Sequence, residues 1–162
     1  MLACLRKIVL YNKVVHKGVW NMNQGNISRL GTLALGLYGF GNIARQVAKR
    51  AKAFDMHVIA YDPFLPDEPF QQAGVERATD LDAFLASCDV LSPHLQLNKS
   101  TKGLLDKHVF QKMKTSAYLI NVSRGGLVNE TDLLQAIENH EIAGCGLDVM
   151  ADEPGEIGRA HV

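Results

Sequence analysis

The sequence predicts an α/β domain built on a doubly wound parallel sheet with helices on both faces. Three observations carry that expectation. Short apolar runs alternate with helix-patterned segments through most of the chain, the order expected of a parallel sheet. A glycine-rich turn joins the first such run to the amphipathic segment after it. The composition, with 47% hydrophobic and 21% charged residues over 162 positions, is that of one soluble globular domain with a sizeable core.

In order, residues 2–15 read as an entry helix, and "GVWNMNQGNISRLG" as a loop. "TLALGLYG" is a short apolar strand and "NIARQVAKRAKAF" an amphipathic helix. "HVIAYD" is a second strand, ended by Pro63 and followed by the proline-rich loop "DPFLPDEP". "GVERA" is a weak third strand, "DLDAFLASC" a helix, and "DVLSPHL" holds a fourth strand. "KHVFQKM" is a short helix, and "SAYLINV" is a fifth strand that ends in "SRGG". "NETDLLQAIENH" is a helix with Asn129 as its N-cap, and "AGCGLDVM" is a sixth strand.

Several functions are disfavoured at once. No apolar run approaches the roughly 20 residues of a membrane span. Arg6 and Lys7 fall inside what would be the apolar core of a signal peptide. Cys4, Cys88 and Cys145 are scattered, which suits a reducing cytoplasm and no clustered metal site. Residues 1–54 carry nine Lys or Arg and no Asp or Glu. These bases interleave with apolar residues at helical spacing, so a solvated helix face is preferred to nucleic-acid binding, for which no motif exists.

"GLYGFGNIA" follows a strand and opens a helix, with Gly39, Gly41 and Ala44 at G-x-G-x-x-G/A spacing. The first glycine makes the tight turn, the second lets a pyrophosphate approach the backbone, and the third position needs a small side chain. The N–H groups near Asn42 and Ile43 then face the phosphates, aided by the helix dipole. Asp62 lies 23 positions after Gly39 at the end of the next strand, the place of a ribose-binding carboxylate that would repel a 2′-phosphate. This pattern specifies a Rossmann-type sheet that takes NAD in preference to NADP.

Arg124 follows the carboxyl end of the fifth strand, where open α/β sheets bind ligands. Asp148 and Glu153 flank the end of the sixth. Three charges at adjacent strand ends form a candidate site. Spacing alone equally allows a plain surface ion pair between Arg124 and Glu153.

The chain resembles the NAD-binding domain of the D-isomer-specific 2-hydroxyacid dehydrogenases. The residues that carry the likeness are "GVWN", "GLYGFGNIA", "YDP", "DVLSPHLQLNKSTKGLL", "LINVSRGGLVNETDLLQAI" and "GCGLDVMADEP". The resemblance implies hydride transfer between NAD(H) and a small 2-hydroxy or 2-keto acid. It implies backbone contacts from Asn42 and Ile43 to the pyrophosphate, and Asp62 on the adenosine ribose. Leu95, Val122, Ser123 and Arg124 would line the nicotinamide side, and Asp148 would bind the carboxamide. Arg124 and Glu153 would be the catalytic pair: Arg124 grips the substrate carboxylate, and Glu153 pairs with a catalytic histidine and raises its pKa. A homodimer is implied for the full-length protein, with residues 1–30 and Trp20 in the dimer arm; local packing is the other reading of Trp20. An alternative on the same fold is an NAD(H)-sensing or corepressor-like module, which would need neither Arg124 nor Glu153.

Several departures qualify the likeness. Ala44 replaces a commoner glycine, and Gln96 stands where many members have proline. Neither His94 nor His161 fits the catalytic histidine, which is expected beyond Glu153 and one further strand. The NAD-binding domain is expected over residues 1–155, with the substrate domain and the last strand outside the chain. Residues 156–162 match one reading frame of a common sequencing-library adapter and are expected to be a non-native tail. Met1 is then expected to be an internal methionine.

Overall fold

The computed structural model describes residues 1–20 and 27–151. Asn21 of the "GVWN" motif, Glu153, and the whole of residues 156–162 lie outside the described residues.

Among the described residues six strands form one sheet: β1 (Ala34–Tyr38), β2 (His57–Tyr61), β3 (Glu76–Ala78), β4 (Val90–Pro93), β5 (Tyr118–Asn121) and β6 (Gly144–Leu147). Their order is β3-β2-β1-β4-β5-β6, and every pairing is parallel. Strands buried on both faces read as continuous apolar runs, which is why "ALGLY" and "YLIN" were visible without alternation. The sheet order reverses between β1 and β4. The chain runs outward in opposite directions from that point, and a crevice opens beyond the two strand ends.

Alternation along each strand divides the core between the faces. Leu35, Leu37, Val58 and Ile120 pack with α3 (Asn42–Lys52) and with Phe70 of α4 (Glu68–Ala73). Leu91, Leu119 and Ile59 pack with Phe84 of α5 (Leu81–Ser87), Phe110 of α6 (Lys107–Lys112) and Leu133 of α7 (Glu130–Glu138). Leu37, Leu91 and Leu119 have no exposed surface, and each such side chain contributes about 1.5–3 kcal/mol relative to exposure.

Three helices begin on the caps their sequences supply. The side chain of Asp80 accepts from Ala83 N, that of Asp106 from His108 N and Val109 N, and that of Asn129 from Asp132 N.

Two expectations need correction. The entry helix is not continuous: it divides into α1 (Leu2–Leu5) and α2 (Ile8–His16) at Lys7, whose φ is 52°. Leu5 is buried against the sheet, and the Lys7 ammonium donates to the Tyr118 hydroxyl while lying 4.9 Å from that ring's centroid. These contacts pin α1, whereas α2 buries none of its residues. The second correction is α4, which follows directly from the proline-rich loop. Pro69 occupies its first turn, Gly74 ends it in the left-handed region, and Phe70 anchors it by stacking on Phe40 at 4.7 Å.

Candidate functional site

The turn after β1 is built on Gly39. Its φ is +87°, and an added Cβ would lie 3.0 Å from the His94 carbonyl oxygen, so only glycine fits without strain. Its N–H donates to Tyr61 O at 2.9 Å. Phe40 is fully buried and anchors the turn. Its N–H donates to Asp62 Oδ2 at 3.0 Å, while Asp62 Oδ1 accepts from Phe64 N at 3.1 Å. The Asp62 carboxylate is thereby fixed beside the glycine turn.

Gly41 is the N-cap of α3, and an added Cβ there meets nothing within 4 Å. Among the described residues no side chain caps α3, in contrast to α5, α6 and α7. The Asn42 amide is instead engaged by Arg45 Nη2 at 2.8 Å, and Ile43 is 70% exposed. An 11-residue helix thus presents its uncapped N-terminus to open space, an arrangement suited to an anion.

Opposite lies the exit of β4. His94 N donates to Tyr38 O at 2.7 Å, which ties this exit to β1. The His94 ring shares a hydrogen bond with Ser92 Oγ at 3.2 Å, and burial pushes its pKa below the usual imidazole value. At the exit of β5, Ser123 Oγ donates to Leu95 O at 3.1 Å. Arg124 is exposed and extended, and its Nη1 donates to Ser123 O at 2.8 Å. It forms no ion pair among the described residues.

These three exits enclose a cleft of about 750 Å³, lined by Gly41, Asn42, Ile43 and Ala44, by the loop from His94 to Leu97, and by Val122, Ser123 and Arg124. Most of the expected cofactor residues therefore share one space. Gly39 lies beneath it, and Asp62 stands beside it through Phe40. Asp148 is exposed just past β6, outside the lining, with its N–H donating to Asn121 O at 2.9 Å. Glu153 lies outside the described residues. Sequence reasoning missed Asn121 and Ser92, the two buried polar side chains at the strand ends. The available signal was a polar residue closing an otherwise apolar strand.

The sequence model of the D-isomer specific 2-hydroxyacid dehydrogenase, NAD binding domain, matches residues 1–160. The chain belongs to this family. Among curated members, it is similar to the D-3-phosphoglycerate dehydrogenase of Archaeoglobus fulgidus, with 40% identity over 95% of this chain and 29% of that protein. It is also similar to the glycerate dehydrogenase of Methylorubrum extorquens, with 38% identity over 98% of this chain and 49% of that protein. Among solved structures, the NAD-complexed D-isomer specific 2-hydroxyacid dehydrogenase from Lactobacillus delbrueckii ssp. bulgaricus superposes with a TM-score of 0.84 at 35% identity, over 99% of this chain and 48% of that one. The chain thus spans less than half the length of each of these family members.

Proposed function

We propose that this chain is the nucleotide-binding half of an NAD-dependent 2-hydroxyacid dehydrogenase. The observation that carries the reading is the cleft itself, in which the uncapped N-terminus of α3 faces the Arg124 turn. Bound NAD(H) carries the hydride. The chain's residues bind and orient it. The N–H groups of Asn42 and Ile43 hold the pyrophosphate, and Asp62 takes the adenosine ribose. Leu95, Val122, Ser123 and Arg124 line the nicotinamide side, and Asp148 binds the carboxamide. Arg124 grips the carboxylate of a small 2-keto acid, a task suited to its planar fork. Glu153 supports the proton-donating histidine. Its domain is residues 1–155, and its free thiols at Cys4, Cys88 and Cys145 suit the cytoplasm.

Calorimetric titration tests this reading through Asp62. The chain is expected to bind NADH more tightly than NADPH, and Asp62→Ala to narrow the gap by about 1.5–3 kcal/mol, the worth of hydrogen bonds to a charged acceptor. Asp62→Ala also removes the acceptor of the buried Phe40 N–H, so its thermal midpoint falls as well. Equal or tighter NADPH binding by the parent overturns the assignment.

The same reading gives a homodimer in the full-length protein. On α2, Ile8, Val9, Leu10 and Val15 are each more than two-fifths exposed, and Trp20 beyond it is 80% exposed, which supports the dimer-arm reading of Trp20. A cavity of about 340 Å³ lies among Arg6, Tyr11, Val14, Val15, Val19, Trp20 and Ile27. A second copy covers this apolar face. Light scattering is expected to give a dimer for the full-length protein and a monomer for its Val15→Glu variant. A monomeric parent removes the proposal.

A further inference from the structure

We infer that Asn121 is the positioning residue that fixes the Arg124 turn against the cleft. The inference rests on the proposed binding of NAD(H) beside that turn. Asn121 ends β5 with no exposed surface, and its whole side-chain hydrogen bonding is directed at the next three residues. Oδ1 accepts from Ser123 N at 3.0 Å, and Nδ2 donates to Arg124 O at 2.9 Å. The side chain therefore spans the turn, holding one N–H and one C=O in fixed relation.

The residue type follows from this geometry. The turn needs a buried group that both donates and accepts at that reach. A carboxylate could accept from Ser123 but not donate to Arg124, and leucine could do neither. The amide is also in low-dielectric surroundings, where a satisfied pair is strong and an unsatisfied one is costly. Two more bonds register the turn against its neighbours. The Asn121 carbonyl accepts from Asp148 N at 2.9 Å, joining the exits of β5 and β6. Ser123 Oγ reaches Leu95 O at 3.1 Å, joining the exits of β5 and β4. Asn121 stands where these ties meet and touches neither face of the cleft itself.

A role in positioning differs from one in core filling by which half of the nucleotide it affects. ADP-ribose uses the glycine turn, α3 and Asp62, whereas NADH also uses the Arg124 turn. In Asn121→Ala, NADH affinity is expected to fall about five- to tenfold while ADP-ribose affinity stays within about twofold of the parent. Asn121→Ser keeps a shorter donor and acceptor and is expected to fall between the two. Equal losses for both nucleotides, or none for NADH, overturn the inference.

Hydrogen exchange on the nucleotide-free protein tests the same point without any ligand. Protection of the Ser123 amide is expected to drop by about tenfold or more in Asn121→Ala, and unchanged protection overturns the inference. If the parent binds neither nucleotide, the dehydrogenase reading fails, and the exchange measurement alone decides the role of Asn121. If Asn121→Ala does not fold, the same measurements on Asn121→Ser decide it.

Discussion

The 162-residue chain is expected to bind NADH and to leave 2-keto acids unreduced. A carbonyl that gains hydride develops negative charge on oxygen and must receive a proton. The histidine lining the cleft is His94, and it is unsuited to that task. Its ring is engaged by Ser92, and burial pushes its pKa below the usual imidazole value, which disfavours the protonated form that a proton donor needs. Arg124 is exposed, where its pull on a carboxylate is screened by salt and water. A positioned acid is typically worth about 10²–10⁴-fold in rate, and closure of a second domain over the substrate adds to that by excluding water. The assay is loss of NADH absorbance with pyruvate, glyoxylate and hydroxypyruvate. A chimera supplying the remaining segments of a full-length relative is expected to turn over at least about 10²-fold faster than the chain alone. Robust turnover by the 162-residue chain would remove the assignment of the acid to a histidine beyond Glu153.

Much of this architecture was legible because its signals are local. A strand covered by helices on both faces has no polar side to show, so β1, β2, β4 and β5 appear as apolar runs. Asn129, the N-cap read from the sequence, marks its helix start through a bond to Asp132 N, and Asp80 and Asp106, which the sequence analysis did not single out, cap their helices in the same way. The glycine turn is equally local, since Gly39 and Gly41 act through their own backbone.

The failures share a different cause. The break at Lys7 depends on Tyr118, 111 positions away, and no spacing near Lys7 reports that contact. Helix α4 has a single buried residue, Phe70, and one anchor makes no period. Asp67, Pro69 and Gly74 serve a turn as readily as a short helix. Asn121 went unremarked because its meaning appears only when the following turn folds back over it. Asp148 illustrates the opposite limit. Strand order correctly brought it beside the exit of β5, yet its side chain lies outside the cleft lining.

The two turn glycines are expected to fail in opposite ways when each is replaced by alanine. At Gly39 the backbone has φ +87°, and placing an L-residue there costs about 1–2 kcal/mol. The new Cβ would also sit 3.0 Å from the His94 carbonyl oxygen, a backbone atom of a residue whose own N–H is tied to Tyr38 O. Such overpacking adds about 1–3 kcal/mol, offset in small part by the stiffer unfolded chain. The thermal midpoint of Gly39→Ala is therefore expected to fall by about 5–15 °C. Gly41 has φ −74°, which any residue adopts, and its Cβ meets nothing within 4 Å. Gly41→Ala is expected to keep its stability within about 0.5 kcal/mol. Its methyl group nevertheless fills the space over the N-terminus of α3, where the pyrophosphate must reach the backbone. NADH affinity is expected to drop about tenfold or more in this variant, with the midpoint unmoved. General loosening of the turn would instead lower both quantities together in both variants. Calorimetry and thermal melts on the pair separate the two cases. Parent-like NADH binding by a stable Gly41→Ala would mean that the anion does not sit on α3, and the proposed site would fall with it.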